Sequence, residues 1–231
     1  MVSEVYLTIT IILIMLNWNK INTVLLDMDG TLLDLNFDNH FWLEFIPERY
    51  ALQHQLTLEE AIEYLQPLFK SMEGQLEWYC LDYWSEILKL DIAGLKAEIS
   101  GLISVLPHVT EFLTALQQSD KKVLLVTNAH RDSLSLKMEK TCLQPFFDGI
   151  ICSHDFGFAK EQQNFWQAFQ HQSGWDRLST LMIDDSLAVL RAAQVFGVSH
   201  LISIKQPDSK RAAKTITEFP AINDFREIMP S

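Results

Sequence analysis

The pattern of hydrophobic and polar positions divides the chain into three kinds of segment. From residue 105 onward, short apolar runs alternate with longer stretches whose apolar residues recur at helical spacing. A short apolar run closed by a turn signal is typical of a buried parallel strand. With one earlier run, the sequence predicts strands at 23–26, 122–127, 149–152, 180–183 and 200–204. Helices are predicted at 107–119, 133–142, 162–172 and 187–196.

Strands that alternate with helices in this way predict an α/β fold, a doubly wound, Rossmann-like parallel sheet covered on both faces. The chain after Gln206 is polar and mixed, so we expect it to be irregular with one short helix. In such sheets, ligands bind outside the C-terminal ends of the strands, near the point where the strand order reverses.

A helical segment is predicted between the first and second strands. Apolar positions at 57–65 and 78–88 follow helical spacing, and Thr57 with Glu60 fits a capping box. Residues 35–104 also hold 11 aromatic residues, in a chain with 14 Phe, 6 Trp and 5 Tyr. We therefore predict a core of residues 16–34 and 105–231, and an all-helical cap at 35–104.

The third kind of segment is the apolar N-terminus. Residues 5–16 form a run of about a dozen, whereas a membrane span needs roughly 20. The only early charge is Glu4, which does not fit the positive start of a signal peptide. We expect residues 1–15 to be an extension, either upstream of a later start such as Met15 or packed on the domain edge. No stable membrane anchor is expected.

The charge and the cysteine content indicate which class of partner and which cellular compartment to expect. The formal net charge of −12 and the pI of about 4.9 disfavour nucleic acid and leave a small molecule as the expected partner. Cys80, Cys142 and Cys152 are widely spaced and form no CxxC pair. This usage fits reduced thiols and predicts a cytoplasmic protein.

Acidic residues stand directly after the first predicted strand. Asp27 and Asp29 are two positions apart, so on an extended backbone their carboxylates would point to one side. A calcium loop would have its glycine at the sixth position, but Gly30 is at the fourth. Turn or cap aspartates are the remaining structural alternative.

Polar residues also follow the later strands. Thr127-Asn128, Lys160 and Asp184-Asp185 each have an ordinary explanation as capping or surface residues when taken alone. Together, however, four acids would converge at neighbouring strand ends. Four close carboxylates cannot all stay ionised without a cation, and oxygen-only ligands beside phosphate favour Mg²⁺. Lys160 would neutralise the remaining charge.

In their order and spacing, Asp27-Met-Asp-Gly-Thr31, Thr127-Asn128, Lys160 and Asp184-Asp185 resemble the four motifs of the haloacid dehalogenase superfamily of hydrolases. The resemblance covers the chain from about Met15, and the helical segment is similar to the cap of that superfamily. Residues 22–42 and 78–86 are similar to bacterial GMP/IMP 5′-nucleotidases of the superfamily.

The resemblance implies a role for each motif. Asp27 would be the nucleophile that forms an aspartyl-phosphate, and Asp29 the general acid and base. Thr127, Asn128 and Lys160 would bind the phosphoryl group. The implied Mg²⁺ site consists of Asp27, the backbone carbonyl of Asp29, and Asp184 or Asp185.

The acid at position 29 also distinguishes the phosphatases of the superfamily from its dehalogenases. Expulsion of a halide needs no proton, whereas an alkoxide leaving group needs an acid. The acid at position 29 therefore favours phosphate chemistry. A sugar-phosphate phosphatase, a phosphoglucomutase-like enzyme and a non-catalytic phosphate-binding module remain alternatives.

Specificity is expected to come from the cap. Its aromatic residues are mostly candidates for its own core, but a few could stack on a purine, a contact worth roughly 1–3 kcal/mol per base. The candidates for substrate contact are Asn36, Phe37, Asp38, His40 and His130. The expected substrate is a purine nucleoside monophosphate, GMP or IMP first, hydrolysed by a phosphomonoesterase.

Overall fold

The computed structural model describes residues 16–230 and confirms the α/β fold. Six parallel strands form one sheet in the order β3-β2-β1-β4-β5-β6. The strands are β1 Thr23–Leu26, β2 Lys122–Thr127, β3 Gly149–Cys152, β4 Thr180–Asp184, β5 His200–Ile204 and β6 Ala221–Ile222.

The helices of the described residues fall into two groups. Five lie in the segment 35–104, namely α1 Asn36–His40, α2 Ile46–His54, α3 Leu58–Met72, α4 Leu81–Leu88 and α5 Ile92–Glu98. A π-helical turn, Phe41–Phe45, joins α1 to α2. The others alternate with the strands as α6 Val109–Gln117, α7 Arg131–Thr141, α8 Gln163–Ser173 and α9 Leu187–Phe196.

The sheet is buried on both faces, which explains its continuous apolar runs. In β1, Val24 and Leu26 pack in one hydrophobic cluster, while Leu25 packs in a second cluster on the opposite face. Side chains alternate between the faces of a strand, so a strand covered on both sides needs apolar residues at every position. Helix α6 contributes to the first cluster, and α8 and α9 contribute to the second.

The helical segment has a hydrophobic cluster of its own. Phe41, Trp84 and Leu88 are fully buried there with other side chains of α2, α3 and α4. The capping box predicted at Thr57 and Glu60 is confirmed, since each side chain accepts from the backbone N–H of the other residue. The division of the chain into a core and a cap remains a prediction, which this separate cluster supports.

Two expectations about the core need correction. The helix expected at 107–119 is shorter and runs from Val109 to Gln117. The chain after Gln206 is not wholly irregular, because Ala221 and Ile222 pair in parallel with β5. A strand of two residues lacks a periodic pattern long enough to detect in the sequence. The expected short helix is a 3₁₀ turn, Phe225–Ile228.

The expectation for the N-terminal extension, residues 1–15, lies outside the described residues. Between residues 16 and 230, no helix combines the length and the apolar character that crossing a bilayer would require.

Leu88→Ala tests the cluster of the helical segment. The substitution removes a fully buried side chain, so we expect the free energy of unfolding to fall by about 2–5 kcal/mol in urea denaturation. Leu52→Ala on α2 is the matched control, since Leu52 is 75% exposed and should cost at most about 0.5 kcal/mol. Equal losses in the two variants would contradict a packed core around Leu88.

Candidate active site

A cavity of about 620 Å³ opens at the C-terminal ends of the central strands. Strand β1 lies between β2 and β4, so the chain connections diverge from this point of the sheet. The catalytic candidates Asp27, Asp29 and Lys160 line one wall of the cavity. Side chains of the helical segment, including Trp42, Phe69 and Trp78, line the other.

Lys160 joins two of the predicted acids. Its Nζ atom donates to Asp27 Oδ1 at 2.5 Å, to Asp184 Oδ2 at 2.8 Å and to the Val126 carbonyl at 3.0 Å. All three charged residues are buried. The backbone of Lys160 is fixed as well, because its N–H donates to Asn128 Oδ1 at 2.9 Å. The sequence motifs of Asp27, Lys160 and Asp184 therefore meet at one ammonium group.

The acids also form a candidate metal site. One carboxylate oxygen from each of Asp27, Asp184 and Asp185 lies within 4.8 Å of the others. Asp27 Oδ2 is buried and has no hydrogen-bond partner among the described residues. An oxygen-only donor set with an unpaired buried oxygen fits a hard divalent cation. The carboxylate of Asp29 is not part of this group.

Gly30 allows the loop to pass close to this site. Its φ of +85° lies in the left-handed region, and an added Cβ would lie 2.7 Å from Cγ of Asp185. Any larger residue would be strained in its backbone and would displace that carboxylate.

Burial raises the pKa values of the three carboxyl groups, and their mutual repulsion adds to the effect. Burial, together with the neighbouring Asp184, raises the pKa of Asp27 to about 7, although Lys160 opposes the change. Burial and Asp27 raise the pKa of Asp185 to about 7. The pKa of Asp184 rises to about 6, chiefly through burial, against the effect of Lys160. Ionised together, the three acids would carry more negative charge than Lys160 can neutralise.

Asp29 lines the same cavity as Asp27 but pairs with a different lysine. Strand β1 ends at Leu26, so the strand alternation that the sequence suggested does not extend through Asp29. Lys137 Nζ donates to Asp29 Oδ1 at 2.6 Å and to Asp38 Oδ2 at 2.6 Å. Burial raises the pKa of Asp29, and Lys137 opposes that rise.

Thr127 and Asn128 lie at the end of β2 and line the cavity. Thr127 Oγ1 accepts from the N–H of Ala129 at 3.0 Å. Asn128 Nδ2 donates to Glu161 Oε2 at 2.9 Å, and Tyr79 Oη donates to Glu161 Oε1 at 2.6 Å. Glu161 therefore connects the helical segment to Asn128.

The expected substrate contacts divide into two groups. Asp38 and His130 line the cavity, whereas Asn36, Phe37 and His40 are not among its lining residues. Phe37 is buried, and the exposed pair of His40 and Glu44 is joined by a hydrogen bond of 2.9 Å.

Sequence reasoning missed Tyr79, Lys96, Lys137 and Glu161 as members of the site. Lys96 and Lys137 are almost fully buried, but a sequence cannot distinguish them from surface lysines. The helical pattern of 131–141 offered a partial signal, because Lys137 lies one turn from the buried Ser133 on the same face.

The family model for haloacid dehalogenase-like hydrolases matches residues 21–197. The chain therefore belongs to this family, and it is a hydrolase. The match includes all four sequence motifs that meet at the cavity.

Two curated relatives and one solved structure illustrate the range of similarity. The chain is 42% identical over 214 residues to the GMP/IMP nucleotidase YrfG of Escherichia coli K12, covering 93% of this chain and 96% of that protein. It is 25% identical to the pyrophosphatase PpaX of Bacillus pumilus, over 79% of this chain and 82% of the relative. A HAD phosphatase from Thermococcus onnurineus superposes with a TM-score of 0.75 at 19% identity, over 90% of this chain and 96% of that one.

The raised pKa values predict a pH-dependent response to Mg²⁺. A carboxyl group with a raised folded pKa stabilises the fold fully below its unfolded pKa of about 4, and loses that contribution as the pH rises toward 7. Above that window the ionised acids repel one another, and a cation binds without displacing protons. We expect Mg²⁺ to raise the melting temperature more at about pH 8 than at about pH 5.

Differential scanning fluorimetry with and without Mg²⁺ measures this response. Asp184→Asn should remove most of the shift, while Asp120→Asn, at a side chain that is 88% exposed, should keep it. An equal shift at both pH values, or a full shift in Asp184→Asn, would contradict the metal site.

Proposed function

We propose that this hydrolase is a Mg²⁺-dependent phosphomonoesterase that forms an aspartyl-phosphate on Asp27, and that its substrates are the purine nucleotides GMP and IMP. The observation that carries the chemistry is the buried pairing of Lys160 with both Asp27 and Asp184 at the floor of the cavity. The substrate is supported by the identity of 42% to a relative that is a GMP/IMP nucleotidase.

In the first step, a carboxylate oxygen of Asp27 attacks phosphorus, and the bond from phosphorus to the ester oxygen breaks. The departing alkoxide takes a proton from Asp29 and leaves as the nucleoside alcohol. Asp29 lines the cavity beside Asp27, as this transfer requires. General acid catalysis of this kind contributes typically about 10²–10⁴-fold.

In the second step, water attacks the phosphorus of the aspartyl-phosphate. Asp29, now ionised, takes a proton from the water, and the bond between phosphorus and Asp27 breaks. Inorganic phosphate leaves and both aspartates regain their starting states. The covalent relay divides one difficult displacement into two easier ones.

Lys160, Thr127 and Asn128 are proposed to bind the phosphoryl group. Lys160 supplies positive charge where the transferred group carries negative charge, and Thr127 and Asn128 supply a hydroxyl and an amide at the end of β2. Asp27, Asp184, Asp185 and the backbone carbonyl of Asp29 would hold Mg²⁺, which when bound would offset the negative charge of the acids and of the phosphoryl oxygens.

The helical segment is proposed to act as the cap that selects the substrate. Trp42, Phe69, Trp78 and Tyr79 line the cavity opposite the acids and offer aromatic surface for a purine. Asp38 and His130 remain candidates on the same wall. Cap closure would exclude water from the first step. The three free cysteines support a cytoplasmic location.

Asp27→Asn tests the nucleophile. The variant keeps the shape of the side chain but removes the attacking carboxylate, so we expect a loss of at least about 10³-fold in phosphate release from GMP. Asp120→Asn serves as the control, and circular dichroism checks that both variants fold. Acid-quenched wild type should carry a phosphoryl group on the peptide that contains Asp27. Appreciable turnover by Asp27→Asn would place the nucleophile elsewhere.

A substrate panel tests specificity and separates the alternatives. We expect GMP and IMP to give the highest kcat/KM among nucleoside and sugar monophosphates, measured by phosphate release with Mg²⁺. Hexose phosphates that exceed GMP and IMP by about tenfold would favour a sugar-phosphate phosphatase. Isomerised sugar phosphate with little free phosphate would indicate a mutase. No metal-dependent turnover of any substrate would favour a non-catalytic module.

A further inference from the structure

Four charged side chains form a continuous chain of ion pairs from the catalytic loop into the helical segment. Lys137 Nζ contacts Asp29 Oδ1 and Asp38 Oδ2, each at 2.6 Å. Lys96 Nζ contacts the other oxygen of Asp38, Oδ1, at 2.5 Å. We call Asp29, Lys137, Asp38 and Lys96 the charge ladder.

The ladder is largely buried, and it is internally neutral when Asp29 is ionised. The side chains of Lys137 and Lys96 retain only 2% and 3% of their exposure, and Asp38 retains 18%. Two ammonium groups alternate with two carboxylates, so each charge has an opposite neighbour. Moving one member away would leave a buried charge uncompensated, which is unfavourable. Each member therefore holds its neighbours in position.

Aromatic packing restricts the lysines further. The ring of Phe37 lies 5.3 Å from Lys137 Nζ and 4.8 Å from Lys96 Nζ. Lys96 Nζ also lies 4.6 Å from the ring of Phe41. Contacts of this kind with the face of a desolvated ring favour a cation. The sequence suggested that Phe37 contacts the substrate. In the structure, its ring instead packs against the two lysines of the ladder.

The ladder connects elements that are far apart in the sequence. Asp29 follows β1, and Lys137 lies on α7, which packs beside the sheet. Asp38 lies on α1 and Lys96 on α5, both in the helical segment. A shift of the helical segment relative to α7 would therefore move Asp38 and change its contact with Lys137.

We propose that Lys137 is a positioning residue that fixes the carboxylate of Asp29 for proton transfer to the leaving group, and that Asp38 holds Lys137 in place. This inference rests on the proposed function. Lys137 fixes one oxygen of Asp29, while 21% of the Asp29 side chain stays exposed and the residue lines the cavity. Both oxygens of Asp38 are engaged by lysines, so we assign to Asp38 the role of holding Lys137.

The nature of the leaving group isolates this role. A nucleoside alkoxide needs a proton as it departs, whereas p-nitrophenolate is a stable anion and departs without one. The ratio kcat/KM covers the steps from free substrate to departure of the leaving group. Misplacing Asp29 should therefore lower kcat/KM for GMP and for glucose 6-phosphate, which both have alkoxide leaving groups, more than for p-nitrophenyl phosphate. General structural damage should lower all three equally, and a loss confined to GMP would indicate a lost nucleoside contact and overturn the inference.

Lys137→Met removes the ammonium group and keeps most of the apolar volume. We expect its kcat/KM for GMP to fall about tenfold or more beyond the fall for p-nitrophenyl phosphate. Lys137→Arg keeps the charge at a displaced position and should recover part of the loss. Lys140→Met is the matched control, an exposed lysine on the same helix, and should behave as wild type on both substrates.

Asp29→Asn separates failure of the inference from failure of the proposed function. A loss selective for GMP and glucose 6-phosphate in Asp29→Asn, with equal or no losses in Lys137→Met, would overturn the inference and leave the proposed role of Asp29 intact. No selective loss in Asp29→Asn would overturn both. If wild type does not hydrolyse GMP, the substrate proposal fails, and the comparison uses glucose 6-phosphate, which also has an alkoxide leaving group.

A second variant covers poor folding of Lys137→Met, which circular dichroism and gel filtration would reveal. Asp38→Asn leaves Lys137 in place but removes the charge that holds it from the helical segment. We expect a selective loss of about threefold or more for GMP in this variant. If kcat/KM falls by the same factor for GMP and for p-nitrophenyl phosphate in this variant, the inference is overturned.

Discussion

The pairing of Lys160 with Asp27 and Asp184 is the interaction on which the site depends. Burying one ammonium with several carboxylates is unfavourable unless the charges compensate one another in good geometry. The fold meets this requirement by fixing both ends of Lys160, with Asn128 accepting from its N–H and the Val126 carbonyl accepting from its Nζ atom. Because Lys160 contacts the ends of β1, β2 and β4, any shift between those strands would separate charges that are almost fully buried.

The fold was largely predictable because its signals are local. Runs such as Thr23–Leu26 and Lys122–Thr127 are apolar on both faces of the sheet, and each is long enough to register as a strand. The catalytic motifs could be found for a related reason, since each follows a strand whose end the topology brings to one edge. The strand Ala221–Ile222 shows the limit, because two residues carry no period and depend on pairing with β5.

The charge ladder could not be predicted, since its contacts are not local. Lys137 is 108 residues from Asp29 and 99 from Asp38, and no spacing rule links such positions. Its burial follows from how the helical segment packs over α7. His40 illustrates the opposite error. It lies close to Asp38 in the sequence, but successive residues of a helix point about 100° apart, and His40 pairs with the outward Glu44.

The two acids that follow β1 are thus bound by different buried lysines. Asp27 pairs with Lys160, and Asp29 pairs with Lys137. Lys160 holds Asp27 within the core, where its Nζ atom also contacts Asp184 and the Val126 carbonyl. Lys137 holds Asp29 together with Asp38, so that contact depends on the seating of the helical segment. In the proposed mechanism, the contacts of the proposed nucleophile Asp27 lie within the core, while those of the proposed proton donor Asp29 include a lysine that the helical segment holds. In that proposed mechanism, such an arrangement would link proton transfer to enclosure of the substrate, when competing water has been excluded.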